Sequence, residues 1–575
     1  MGRSEVFEMA PTDEEKCRPL LVVEERLLPT SDSESEGSHV WRETDARFRK
    51  IPWAATTRTY ASLILRRTAI FLLPSFTHHR LLLARDRHSS SSSSSAKTLS
   101  PTSYLDGMRG VAALFVFFCH YFYTSFFIAE GFHYLPPPPK RPDSPSTTSW
   151  PTTSQYKSLW RLPFARLLYS GPSMVCVFFV ISGYALSLRP LTLSRQRRGQ
   201  GQNGEGEAAF ARTISSLVFR RFFRLYLPPI ISTLTTALLL NAGAFEPTRD
   251  FVHDRKFMRN VIEHHPPRLA SLGSQLAHWG QEMWAFVHIW GWEDHAGSTE
   301  YDVHLWTIPL EFRCSMVLFL VLVGTARLRE NVRLVVIALL AWFVMRSDRW
   351  EMLLFLAGMM IAELDLRRDA HGQREREREG RGGVNAVSVA SSSTPALQLL
   401  LAEEKIPSPP SVSRRRSVAD SFWTLISVLA LYLLSCPDAG PSDVPGWRTL
   451  GTLIPTWFSE KYRFWQVMGA CLFVFCAARS RFWRHIFELP AIQYLGHLSY
   501  AVYLMHGPVT HILGYPIQRW AWGITGTEGS AYKSGAILAA LINIPLVIWA
   551  ADIFWRAVDV PTVRFAKWLE SKLSI

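Results

Sequence analysis

Long apolar runs alternate along the chain with stretches that are strongly polar. From Leu105 onward about ten such runs can be drawn, near 105–129, 166–188, 224–244, 303–325, 332–346, 350–366, 421–436, 463–479, 491–513 and 534–557. Most match the length needed to cross roughly 30 Å of hydrocarbon at about 1.5 Å per residue, and the fifth to seventh are short. The pattern predicts an all-α fold, a polytopic membrane bundle of about ten transmembrane helices spanning residues 101–560. Residues 1–100 contain the Ser/Glu-rich stretch Ser31 to Ser38 and a serine run from Ser89 to Ser95, and are expected to be a disordered cytosolic region. An apolar patch near Leu63 to Leu73 is interrupted by Arg66 and Arg67 and suits the membrane surface better than a span. The low-complexity stretch 367–420 is expected to be a disordered cytosolic insert, and 561–575 a cytosolic tail.

Charge sets the orientation. The chain of 575 residues carries a formal net charge of +14. Arginines cluster after the second run (Arg189 to Arg221), after the sixth (Arg367 to Arg416) and after the eighth (Arg479 to Arg484). With ten spans these loops share one side, which the positive-inside rule makes cytosolic together with both termini. No folded basic module is left for nucleic acid, so the expected partners are the lipid bilayer and small molecules, with no nucleic acid. The seven cysteines include no C-x-x-C pair and read as small buried apolar residues. No metal-ligand spacing appears, so no metal is expected. Oligomeric state is not legible.

With no soluble domain left over, the chemistry must lie in the membrane region. The first run places Asp106, Arg109 and His120 in an apolar helix, where charged groups are costly and usually functional or paired. At roughly 100° per residue, Arg109 lies about 20° and Asp106 about 40° from His120 around the helix, so all three share one stripe. The rise from Arg109 to His120 is roughly 16 Å. An anionic nucleotide could stay at the Arg109 mouth while a thin arm reaches His120, whose imidazole can take a hydroxyl proton near neutral pH. Ser182 and Tyr184 place hydroxyls in the second span. Arg220, Arg221 and Arg224 open the third and suit phosphate groups, as does Arg327 in a later loop. Glu311 sits about two turns inside the fourth span. Ser499, Tyr503 and His506 share one face of the ninth and suit a cavity wall.

These marks together resemble the acyltransferase 3 family of membrane acyltransferases, over about residues 100–560. They are Tyr104-Leu-Asp-Gly-Met-Arg-Gly with Arg109 eleven residues before His120, Phe178-Phe-Val-Ile-Ser-Gly183, Arg221-x-x-Arg224, Trp306-Thr-x-x-x-Glu311, and Ser499-Tyr-x-x-Tyr-Leu-x-His506. The resemblance implies that His120 is catalytic with Arg109 as partner, with Asp106 and Glu311 as candidate helpers. It implies that Arg221 and Arg224 help hold an acyl-CoA, most simply acetyl-CoA, as cosubstrate rather than a permanently bound cofactor. The style is similar to fungal members, which acylate a hydroxyl on a polyketide, terpenoid or other secondary metabolite. A sugar or cell-surface glycan is the alternative acceptor. A small-molecule transporter is the rival class, disfavoured because no internal repeat is visible. The endoplasmic reticulum is the default membrane, with the plasma membrane open.

Overall fold

The computed structural model describes residues 67–77, 99–133, 157–199, 205–289, 297–391 and 411–574. Most of the N-terminal region and the stretch 392–410 lie outside these. Among the described residues the chain is helical, and its only β pairings are two isolated bridges.

We number the main helices α1 (Ser103–Tyr123), α2 (Gly171–Gly199), α3 (Glu205–Asn241), α4 (Leu272–Val287), α5 (Thr307–Thr325), α6 (Glu330–Arg346), α7 (Trp350–Ser391), α8 (Ser411–Leu434), α9 (Arg463–Ala477), α10 (Pro490–Val509), α11 (Gly529–Phe554) and α12 (Val560–Leu573). A helix overlies each of the ten apolar runs. Among the described residues, five helical stretches are long and apolar enough by length and composition to cross a membrane: Ser103–Tyr123, Gly171–Gln196, Glu205–Asn241, Val303–Thr325 and Gly529–Leu573. Val418–Leu434 and Arg463–Ala477 are apolar but shorter. The helical membrane class therefore holds, with five clear spans where about ten were expected. The others fall short in different ways: α6 and α9 are under 18 residues, and α10 spends Gln493, His497, Ser499 and His506 on its length, which lowers its hydropathy. Leu320, Trp342, Leu425 and Leu541 are each more than half exposed, an outer surface suited to lipid.

Two elements depart from the sequence expectation. Helix α7 continues to Ser391, inside the stretch expected to be an unstructured insert. Its Arg/Glu alternation is rich in good helix formers, which low complexity alone does not reveal. Helix α4 lies where a loop was expected. It is too polar for a span, but Ser271 and Ser274 cap its start reciprocally and it packs on α3. The short segment 67–77 lies against α11, where the Ser75 amide donates to Asp552 Oδ2 at 2.6 Å.

Close helix contacts fix the frame. A Cβ added at Gly110 would lie 2.4 Å from the Gly496 amide nitrogen, so α1 and α10 touch backbone to backbone. Gly183 of α2 and Gly358 of α7 meet in the same way, each with a Cβ position 2.2 Å from a carbonyl of the other helix. Small residues at crossings substitute for the hydrophobic effect that lipid cannot supply. Deep ion pairs add to the frame: Arg333 and Glu363 are both fully buried and meet at 2.7 Å, and Arg166 reaches Asp438 at 3.4 Å. The six described cysteines, Cys119 among them, are free thiols.

Candidate active site

Helix α1 runs along two chemically different regions. At its N-terminal end Arg109 lines a cavity of about 80 Å³ with Arg220, Arg221 and Arg224 of α3, Ser182 of α2 and Glu311 of α5. An adjoining cavity of about 80 Å³ shares Arg109, Arg221, Arg224 and Glu311, and adds Asp106, Ser499 and Asp559. Arg221 donates to Glu311 Oε1 at 2.8 Å and to Ser315 Oγ at 3.0 Å. Ser182 donates to the same Glu311 oxygen at 3.0 Å. Glu311 therefore has both a cation and a hydroxyl donor, which offset the cost of placing a carboxylate among apolar helices.

Toward the other end of α1, His120 meets two imidazoles from separate helical segments. Its ring centroid lies 4.1 Å from that of His304 and 5.3 Å from that of His506, and the latter two are 4.6 Å apart. His304 precedes α5 in a short 3₁₀ turn, whose capping residue Asp302 accepts from the His304 amide and from its ring Nδ1 at 2.8 Å. The His304 Nε2 lies 2.9 Å from Glu263 Oε1. Nδ1 donates to Asp302, while Nε2 faces Glu263 Oε1 as a close contact without hydrogen-bond geometry. Burial alone would raise the Glu263 carboxyl, but the His304 imidazole outweighs it and holds the group well below the usual carboxylate range.

His506 is oriented differently. Its Nδ1 lies 2.7 Å from the Tyr503 carbonyl, which can only accept, so that nitrogen carries the proton. Its buried Nε2 and the buried Nδ1 of His120 have no hydrogen-bond partner among the described residues. Two buried ring nitrogens are thus left unpaired beside one anchored imidazole. The three rings bring nitrogens within 4.8 Å of one another, a spacing that a metal could bridge.

The residues singled out in the sequence divide between these regions. Arg109, Arg221, Arg224, Asp106, Glu311, Ser182 and Ser499 line the arginine vestibule, and Arg220 sits at its edge, held by Glu570 at 3.2 Å. His120 and His506 lie in the histidine cluster. Tyr503 supports the cluster rather than an open wall: its hydroxyl pairs with Thr307 at 2.7 Å and donates to the His304 carbonyl. Tyr184 points away from both, toward Asp365 at 3.3 Å, which also binds Arg479 at 2.8 Å. Arg327 pairs with Glu207 at the surface. His304, Asp302 and Glu263 were missed. Asp302 two residues before His304 is a local cap signal, whereas nothing in the sequence places Glu263 beside them.

The fold and site are those of a helical membrane bundle with a basic vestibule at one end of α1 and a histidine cluster toward the other. The chain belongs to the acyltransferase 3 family, whose acyltransferase-domain model matches residues 102–556. It is 28% identical to O-acetyltransferase PaAT-1 of Phomopsis amygdali over 519 residues, covering 87% of this chain and 88% of that protein. It is 26% identical to Acyltransferase R4 of a Phoma species, covering 80% and 94%. It is 27% identical to Acyltransferase clz18 of Cochliobolus lunatus, again covering 80% and 94%. No solved structure matches.

Proposed function

We propose that this chain is a multi-pass membrane O-acyltransferase that moves an acyl group, most simply acetyl from acetyl-CoA, onto a hydroxyl of a small secondary metabolite. The observation that carries the reading is the stripe on α1: arginines gathered around Arg109 at one end, and His120 roughly 16 Å further along the same face. A nucleotide thioester has matching parts, with phosphates too polar for hydrocarbon and a thin arm long enough to carry the thioester inward. The naming of one relative as an O-acetyltransferase supports the acetyl group and the oxygen acceptor.

In this mechanism the phosphates sit among Arg221, Arg224 and Arg109. The acceptor hydroxyl reaches the histidine cluster. His120 takes its proton, the alkoxide oxygen bonds to the thioester carbonyl carbon, and the C–S bond breaks. The proton on His120 then goes to the departing thiolate, giving an ester and free coenzyme A. His506 Nε2 can accept a hydrogen bond from the same hydroxyl and orient it. His304, held by Asp302 and Glu263, fixes the wall against which His120 rests. The loop arginines favour donor entry from the cytosol, with the endoplasmic reticulum as the default membrane.

The test is product formation. Purified protein is given isotope-labelled acetyl-CoA and a pool of hydroxylated fungal metabolites. Label recovered as an ester of one metabolite supports the reading, and label found only in coenzyme A or acetate counts against it.

A further inference from the structure

The arginine vestibule has a wall that lies outside the family-matched region. That match ends at residue 556, whereas Val563, Ala566 and Lys567 of α12 line the same cavity as Arg109, Arg221 and Arg224. The chain reaches this position through a π-helical turn at Trp555–Asp559, after which Pro561 opens α12. A π-turn shifts the register of the side chains that follow it. Here it also carries Asp559, which lines the adjoining cavity with Arg109 and Arg224.

Helix α12 is held on α3 from both ends. Glu570 pairs with Arg220 at 3.2 Å, and the Phe565 ring meets Phe223 edge to face at 6.2 Å. On its outer side Phe565 and Trp568 are 41% and 55% exposed, as befits a helix lying at a membrane interface. Of the two lysines of α12, Lys572 is turned to water, as in an interfacial anchor. Lys567 instead is half-buried and faces the vestibule. The first cavity gathers five basic residues, Lys567 being the fifth; Glu570 and Glu311 pair with Arg220 and Arg221, and Asp106 and Asp559 line the adjoining cavity with Arg109 and Arg224. Lys567 itself has no ion-pair partner among the described residues, and an anionic ligand group in the cavity would supply one.

We infer that α12 is the closing wall of the donor site and that Lys567 binds a phosphate group of the nucleotide thioester. The inference rests on the acyl-CoA reading above, and the experiment separates the two. Coenzyme A binding to the full-length protein in nanodiscs is measured by calorimetry for wild type, Lys567→Ala, Lys567→Glu and Lys567→Arg. A charge-assisted contact predicts about tenfold weaker binding for Ala, a larger loss for Glu, and near wild-type affinity for Arg. Wild-type affinity in both Ala and Glu variants would overturn the role of α12 and leave the donor reading intact. Failure of wild type to bind coenzyme A would overturn the donor reading itself.

A second measurement needs no variant. Amine-reactive acetylation of wild type, read by peptide mass spectrometry, should be several-fold slower at Lys567 when coenzyme A is present and unchanged at the exposed Lys572. Equal labelling of Lys567 with and without bound coenzyme A would count against the contact.

Discussion

The two ends of α1 solve opposite electrostatic problems. Around Arg109 the interior is cationic, and Glu311 is the one carboxylate in the first cavity. Around His120 the interior is built of imidazoles, with Asp302 and Glu263 bracing His304. The first region is suited to hold charge that a ligand brings. The second is suited to move a proton, because an imidazole can gain or lose one at modest cost while a guanidinium cannot. One helix joins them, so binding and chemistry are kept apart by a fixed distance. Substitutions at the two ends should therefore separate cleanly in kinetics.

The largest effect is expected at His120. His120→Ala should lower kcat by roughly 10²–10⁴-fold while coenzyme A affinity stays at the wild-type value. Loss of both together would mean that the two regions are not separable. At the other end, Arg224→Ala should raise the KM for acetyl-CoA by about tenfold or more with a smaller change in kcat. The KM effect should shrink as salt rises, because a charge contact is screened.

A smaller effect is expected from the bracing of His304. Glu263→Gln keeps the shape but removes the charge facing His304 Nε2, and should lower kcat about tenfold without moving the KM for acetyl-CoA. Gly507→Ala attacks the same element sterically. Its Cβ would lie 2.9 Å from His304 Nδ1 and 3.1 Å from Asp302 Oδ1, so the pair must shift. A kcat loss comparable to that of Glu263→Gln would tie the effect to His304 position. The smallest change is expected for Ser182→Ala, which removes one hydrogen bond to a Glu311 that keeps Arg221. A KM change of a few fold, and no more, is the expected result.

The sequence made some of this plain. The stripe of Asp106, Arg109 and His120 is local to one helix, and helical periodicity alone puts the three on one face. The arginines of α3 were legible for the same reason. What periodicity cannot supply is contact between distant segments. Glu263 lies in the connection between α3 and α4, and its meeting with His304 depends on how that connection folds over the bundle. Tyr184 shows the reverse failure. It follows Ser182 by two residues, which on a helix turns it roughly 200° away, and so it faces Asp365 while Ser182 faces Glu311. An apolar run and a helix that meets the length and composition of a span are not the same thing, so five of the expected ten or so stand out clearly among the described residues. Helices lining a polar site give up apolar residues to it, as α10 does.

The most direct test of the account is thiol release from acetyl-CoA in the presence of hydroxylated metabolites, followed for wild type and for His120→Ala. The account predicts acceptor-dependent release by wild type, and none above background by the variant, although it still binds coenzyme A. Undiminished release by His120→Ala would contradict it.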